Sequence, residues 1–73
     1  MKLHYYPETD SLYIDLSDRT SVESREVADG VVLDFDDSGV LVGIDIDQAS
    51  QLLDLTKLET ESVPMPAKAG PDR

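Results

Sequence analysis

At 73 residues, 40% of them hydrophobic, the chain has room for one small domain and a thin two-layer core. Its formal net charge of -10, from 16 acids against 6 bases, disfavours direct binding to nucleic acid, which draws its affinity from Lys and Arg on phosphates. There is no cysteine, so disulfides and thiolate metal sites are excluded, and a subunit contact is the remaining way to stabilise so small a domain.

No apolar run approaches the roughly 20 residues that span a bilayer. The opening MKLHYY lacks the apolar centre of a signal peptide, so a soluble, cytoplasmic protein without membrane contact is expected. The acid excess has three readings: a solvated surface, a salt-adapted host, or a complement to a basic protein partner.

Apolar residues alternate through the first two thirds of the chain, as half-buried strands require. LHYY (3–6) and LYIDL (12–16) flank the turn residues PETD. A loop over Pro7–Asp10 sets Tyr5 opposite Leu12 and Leu3 opposite Ile14 on one face. His4 then stands beside Tyr13, and Lys2 beside Asp15, on the other.

Next, SVESREVADG (21–30) predicts a third strand over Val22–Ala28 and a tight turn at Asp29–Gly30. A plain two-residue turn pairs Arg25 with Asp34 and points Glu26 at the core. Either an inward edge charge or a bulge answers that conflict, and both stay open.

VVLDF (31–35) and VLVGIDI (40–46) flank DDSG, which predicts a second hairpin with its loop at Asp36–Gly39. Pairing Phe35 with Val40, Leu33 with Val42 and Val31 with Ile44 brings six apolar residues to one face. Gly39 suits the left-handed conformation that closes such a turn.

The same stretch also matches part of a calcium loop: Asp34, Asp36, Ser38 and Gly39 have the spacing of its first half, and Asp45 that of its last ligand. In a hairpin, however, Asp45 lies roughly 16 Å down the strand from Val40. The tip is therefore expected to be a turn, and Asp36→Asn to change stability only slightly. Metal ligation by Asp34, Asp36 and Ser38 is the alternative.

From Asp47 the spacing of Ala49, Leu52, Leu53 and Leu58 predicts a helix with Asp47 as N-cap. The capping-box spacing of Thr56 and Glu59 marks a break and restart near Leu55. The fold expected is α+β: a small antiparallel sheet of two hairpins plus a connecting strand, with a C-terminal helix over one face. Residues 1–60 form this single domain, and 61–73, holding three of the four prolines, read as a flexible tail.

The blocks YYPETDSLYIDLSD and VADGVVLDFDDSGVLVGIDIDQAS resemble the small bacterial family known as domain of unknown function 2283. That resemblance implies a small β-rich fold and brings no catalytic residues. Asp45 stands where the family commonly has Glu. Some relatives are similar to small proteins encoded beside putative toxins, which implies a binding role.

No enzyme motif stands out. His4, the one histidine, is expected to pack on the cross-strand Tyr13, Glu8 and Asp10 to bond local backbone, and the serines lack a base partner. No cofactor is expected. Tyr13, Val32 and Leu41 fall on the side away from the helix, and a contiguous apolar patch there marks an interface. The reading is a non-enzymatic, self-associating interaction module, an accessory or antitoxin-like protein, dimeric, with the dimer tightening as salt screens repulsion. The alternative is a small-ligand or divalent-cation binder using the acidic tip.

Overall fold

The computed structural model describes residues 1–64; most of the tail predicted for 61–73 lies outside the described residues. Five strands form one antiparallel sheet: β1 (Lys2–Tyr6), β2 (Ser11–Asp15), β3 (Glu23–Ala28), β4 (Val31–Phe35) and β5 (Leu41–Ile46). Their order across the sheet is β1-β2-β5-β4-β3. A hairpin therefore leads into β2, the chain crosses over the end of β5 and β4, and β3, β4 and β5 return as a meander beside β2. This is a Greek-key connection. The link from β2 to β3 spans three strand spacings, about 14 Å, which a seven-residue segment covers easily.

The first hairpin pairs as the alternation predicts, with Leu3 opposite Ile14, Tyr5 opposite Leu12, His4 opposite Tyr13 and Lys2 opposite Asp15. The second keeps its loop but not its register. Leu33 pairs with Ile44 and Val31 with Ile46, whereas Phe35 pairs with Leu41. Val40 joins the loop and a bulge between those pairs absorbs one further residue of β5, so the pairing slips by two positions and the apolar face is preserved. The Glu26 conflict is resolved the same way. A bulge between Glu26 and Ala28 pairs Glu26 with Val32 and Arg25 with Leu33, sending Glu26 to the acidic side.

Gly30 (φ 83°) and Gly39 (φ 81°) adopt the left-handed backbone that closes these two turns. One end of the sheet carries the loop over Pro7–Asp10, the Asp29–Gly30 turn and the short helix α1 (Ala49–Leu52). The opposite end carries the Asp36–Gly39 tip and the crossover.

The helical expectation is corrected here. α1 has four residues, about 6 Å of helix, and it does not cover a sheet face. Its N-cap is Gln48 in a left-handed conformation, without a side-chain cap, rather than Asp47. No second helix starts at Thr56. Its amide and hydroxyl instead donate to the Asp54 carboxylate in a local turn. The chain from Leu53 to Leu58 runs beside the β1–β2 half of the apolar face, leaving a groove of about 610 Å³ against Leu3, Tyr5, Leu12 and Ile14.

The outcome is a sheet one layer thick. Among the described residues the buried apolar side chains are Leu12, Val42 and Ala49. Ile14, Val31, Leu33, Phe35, Ile44 and Ile46 are half-buried, and Leu3 and Tyr5 are 45% and 40% exposed. The guanidinium of Arg25 lies 4.2 Å over the Phe35 ring and covers part of it.

On the other face the Tyr13 ring lies across the buried Gly43. A β-carbon built on that glycine collides with the tyrosine hydroxyl and ring. Gly43→Ala is expected to destabilise the protein by roughly 1–3 kcal/mol through overpacking. In urea unfolding the loss should be smaller when Tyr13→Ala is also present, because the collision is then removed.

Candidate functional site

Two polar ties hold the ends of this thin sheet. The first is Asp36, in the motif DFDDSG. Its Oδ1 accepts the amides of Ser38 (2.8 Å) and Val40 (2.9 Å), and its Oδ2 accepts from Arg19 Nη1 at 2.6 Å. Arg19 belongs to the crossover, so the contact fastens that link to the hairpin tip. Asp36 is 6% exposed, contrary to the solvated turn carboxylate expected of it. The Arg19 hydrogen bond, then the two backbone amides, lower its pKa.

The second tie is Asp10, at the end of the first loop with φ 56°. Its carboxylate accepts from the Tyr5 hydroxyl (2.7 Å) and from the amide and hydroxyl of Ser50, while its carbonyl accepts the Ala49 amide. These bonds seat α1 against the loop. The Tyr5 and Ser50 bonds lower the pKa of Asp10.

The polar face carries a row of side chains across four strands. Tyr13 donates to Asp34 Oδ2 at 2.9 Å over Gly43, and Ser24 donates to Asp34 Oδ1 at 2.6 Å. Burial first, then the bond to Asp34 and the charges of Asp34, Asp15 and Asp45, push the Tyr13 hydroxyl up to about 12. Asp45, between Tyr13 and Val32 in register, has its pKa raised by burial and by the charges of Asp47 and Asp34. His4 stacks on Tyr6 of its own strand, with ring centroids 4.3 Å apart, rather than on the cross-strand Tyr13, whose ring lies over Gly43.

The residues expected at an interface are thus divided. Tyr13 and Val32 share the polar face but are separated by Asp45, and Tyr13 is engaged with Gly43 and Asp34. Leu41, expected on that same face, pairs instead with Phe35, because the bulge shifts the register and turns it to the apolar side.

The residues of the cation alternative are also divided. Asp34 turns to Tyr13 and Ser24, Asp36 to Arg19 and backbone amides, and the Ser38 hydroxyl to Asp37. Among the described residues no three His, Cys, Asp or Glu side chains are grouped to hold a metal ion.

Sequence reasoning missed Arg19, whose partner lies 17 positions away, and the role of Asp10 at α1, 40 positions away. An isolated arginine in a chain this acidic was the available signal for the first. Gly43 inside a strand was the signal for the tyrosine lying over it.

The pKa shifts set opposite pH dependences. Asp36 and Asp10 titrate below an ordinary carboxylate, so their ionised forms stabilise the fold. That stabilisation is complete above about pH 5 and is lost as pH falls below about 4, through their folded values. Asp45 titrates above an ordinary carboxylate, so its ionisation costs stability once pH rises through its folded value. Asp36→Asn should therefore lower the melting midpoint at pH 7 well beyond Asp37→Asn, with the difference shrinking toward pH 3. Asp45→Asn should raise the midpoint at pH 7 and have little effect at pH 3. Thermal melts of the three variants across that range check both signs.

Among the described residues no helix is long and apolar enough to cross a membrane. No curated protein and no solved structure matches the chain. One family model, described as a protein of unknown function, matches residues 2–50, from the first residue of β1 into α1. Because that match takes in all five strands and most of the sequence, the chain belongs to the DUF2283 family.

Proposed function

We propose that the protein is a non-enzymatic, self-associating interaction module whose apolar sheet face packs against the same face of a second copy. The observation that carries this reading is the segregation of side chains between the two faces. Leu12, Ile14, Leu33, Phe35, Ile44 and Ile46 share one face with a single strand-borne ion pair, Arg25 with Glu23 at 3.4 Å. Asp15, Asp34, Asp45 and Glu26 point to the other.

Charge decides between the faces. Two copies joined through the polar side bring their acidic rows together, at a cost that rises as the site dries. Joined through the apolar side, they keep those rows in water and supply the missing layer of a sheet-on-sheet core. This moves the interface away from Tyr13 and Val32.

Size is consistent with the proposal. Five strands about 4.8 Å apart and about 17 Å long present a footprint on the order of 400 Å² per copy. The flanking Leu53–Leu58 segment adds to it, which brings a symmetric pair to the lower range of specific interfaces. Each large apolar side chain fully covered contributes roughly 1.5–3 kcal/mol.

A dimer is expected in sedimentation at moderate salt and tens of micromolar protein, and Ile44→Lys or Leu33→Glu should shift the equilibrium strongly toward monomer. Val32→Lys, on the polar side, should leave the dimer intact. Circular dichroism identifies which variants remain folded. A folded Ile44→Lys protein that still sediments as the wild type removes the apolar face as the interface. The cation reading predicts instead a melting midpoint raised by micromolar calcium and reversed by EDTA; with the Asp34 and Asp36 oxygens already engaged, no such shift is expected.

A further inference from the structure

We infer a second contact between copies, independent of the apolar face: the free edge of β1 pairs antiparallel with β1 of another copy, about a two-fold axis at His4. The sheet has two edges, and they differ. β3 carries a bulge and the charges of Glu23, Arg25 and Glu26, the usual means of keeping an edge from adding strands. β1 has no bulge, and its one lysine, Lys2, stands at the first position of the strand. Its five residues pair with β2 in unbroken register, all five are exposed, and none is acidic.

In a chain of net charge -10, an edge that carries only Lys2 and His4 is a place where two copies meet without opposed carboxylates. The strand KLHYY is also complementary to itself. Antiparallel pairing centred on His4 sets Leu3 beside the second copy's Tyr5 on the apolar side, twice by symmetry. On the polar side it sets Lys2 beside the second copy's Tyr6, an ammonium against an aromatic ring. A one-residue slip removes both matches.

A two-fold axis normal to the sheet keeps both apolar faces on the same side of the ten-stranded sheet. The edge contact and the face contact can therefore coexist.

The absence of cysteine from the sequence makes single-cysteine cross-linking a clean test. Residues directly opposite on antiparallel strands have Cα atoms about 4.5–5.5 Å apart, within disulfide range. Under mild oxidation His4→Cys should form a disulfide dimer at least about tenfold faster than Ser24→Cys on the bulged edge, through its higher effective concentration. A mixture of Lys2→Cys and Tyr6→Cys proteins should give mainly the mixed disulfide. Equal rates for His4→Cys and Ser24→Cys overturn the proposal, as does preference for the two symmetric disulfides in the mixture. Adding a folded face variant, Ile44→Lys or Leu33→Glu, separates the two contacts. A fast His4→Cys cross-link that survives it belongs to the edge, and one that disappears arises from the face contact and overturns the edge pairing.

Discussion

A β-sheet one layer thick cannot enclose a core, because side chains on each face have solvent beyond them unless something packs on top. Among the described residues the cover is an irregular segment along one side, and the four-residue helix sits at one end. Burial is deepest where the chain folds back on itself: at Leu12 and Val42 on neighbouring strands, and at Ala49, where α1 meets the first loop. With so little apolar area withdrawn from water, hydrogen bonds at the sheet ends take a larger share in defining the fold. Asp36 binds the crossover through Arg19, and Asp10 binds the helix through Ser50. Both bridge segments distant in sequence, where a purely local turn carboxylate would not restrain the topology.

The same constraint organises the surface. One side of the sheet collects acids and neutral polar groups around the Tyr13–Gly43–Asp34 row, and the other collects branched aliphatic side chains and Phe35. Charge of one sign keeps molecules apart in solution, so an acidic protein that associates does so through the part of its surface that is nearly neutral. In this chain that part is the apolar face, together with the β1 edge. The antitoxin-like or basic-partner reading would instead employ the acidic side, and it remains compatible with self-association through the opposite one.

Much of this architecture was legible from residue alternation. The first hairpin follows its predicted register because PETD closes it without an extra residue and each apolar side chain has one sensible partner. The second hairpin kept its loop, since DDSG marks the turn, but the bulge before Gly43 cannot be read from a run as uniformly apolar as VLVGI. The helix was overestimated because Ala49, Leu52, Leu53 and Leu58 have helical spacing, whereas Asp54 and Thr56 form a turn that ends the repeat. The burial of Asp36 was hidden for a different reason. Whether a turn carboxylate is solvated depends on what crosses it, and Arg19 arrives from another connection. Alternation alone leaves Tyr13 free for an interface, but Gly43, diagonal to it on the neighbouring strand, lies beneath its ring.

If another copy of the chain covers the apolar face, folding and association are coupled. Association that favours the folded state makes the thermal midpoint depend on protein concentration. The direct measurement is therefore the melting midpoint of the wild-type protein across about a thousandfold range of concentration at moderate salt. The midpoint is expected to climb steadily with concentration, with a much shallower slope in a folded Ile44→Lys variant. A wild-type midpoint that stays constant over the whole range, with reversible unfolding, would contradict that coupling.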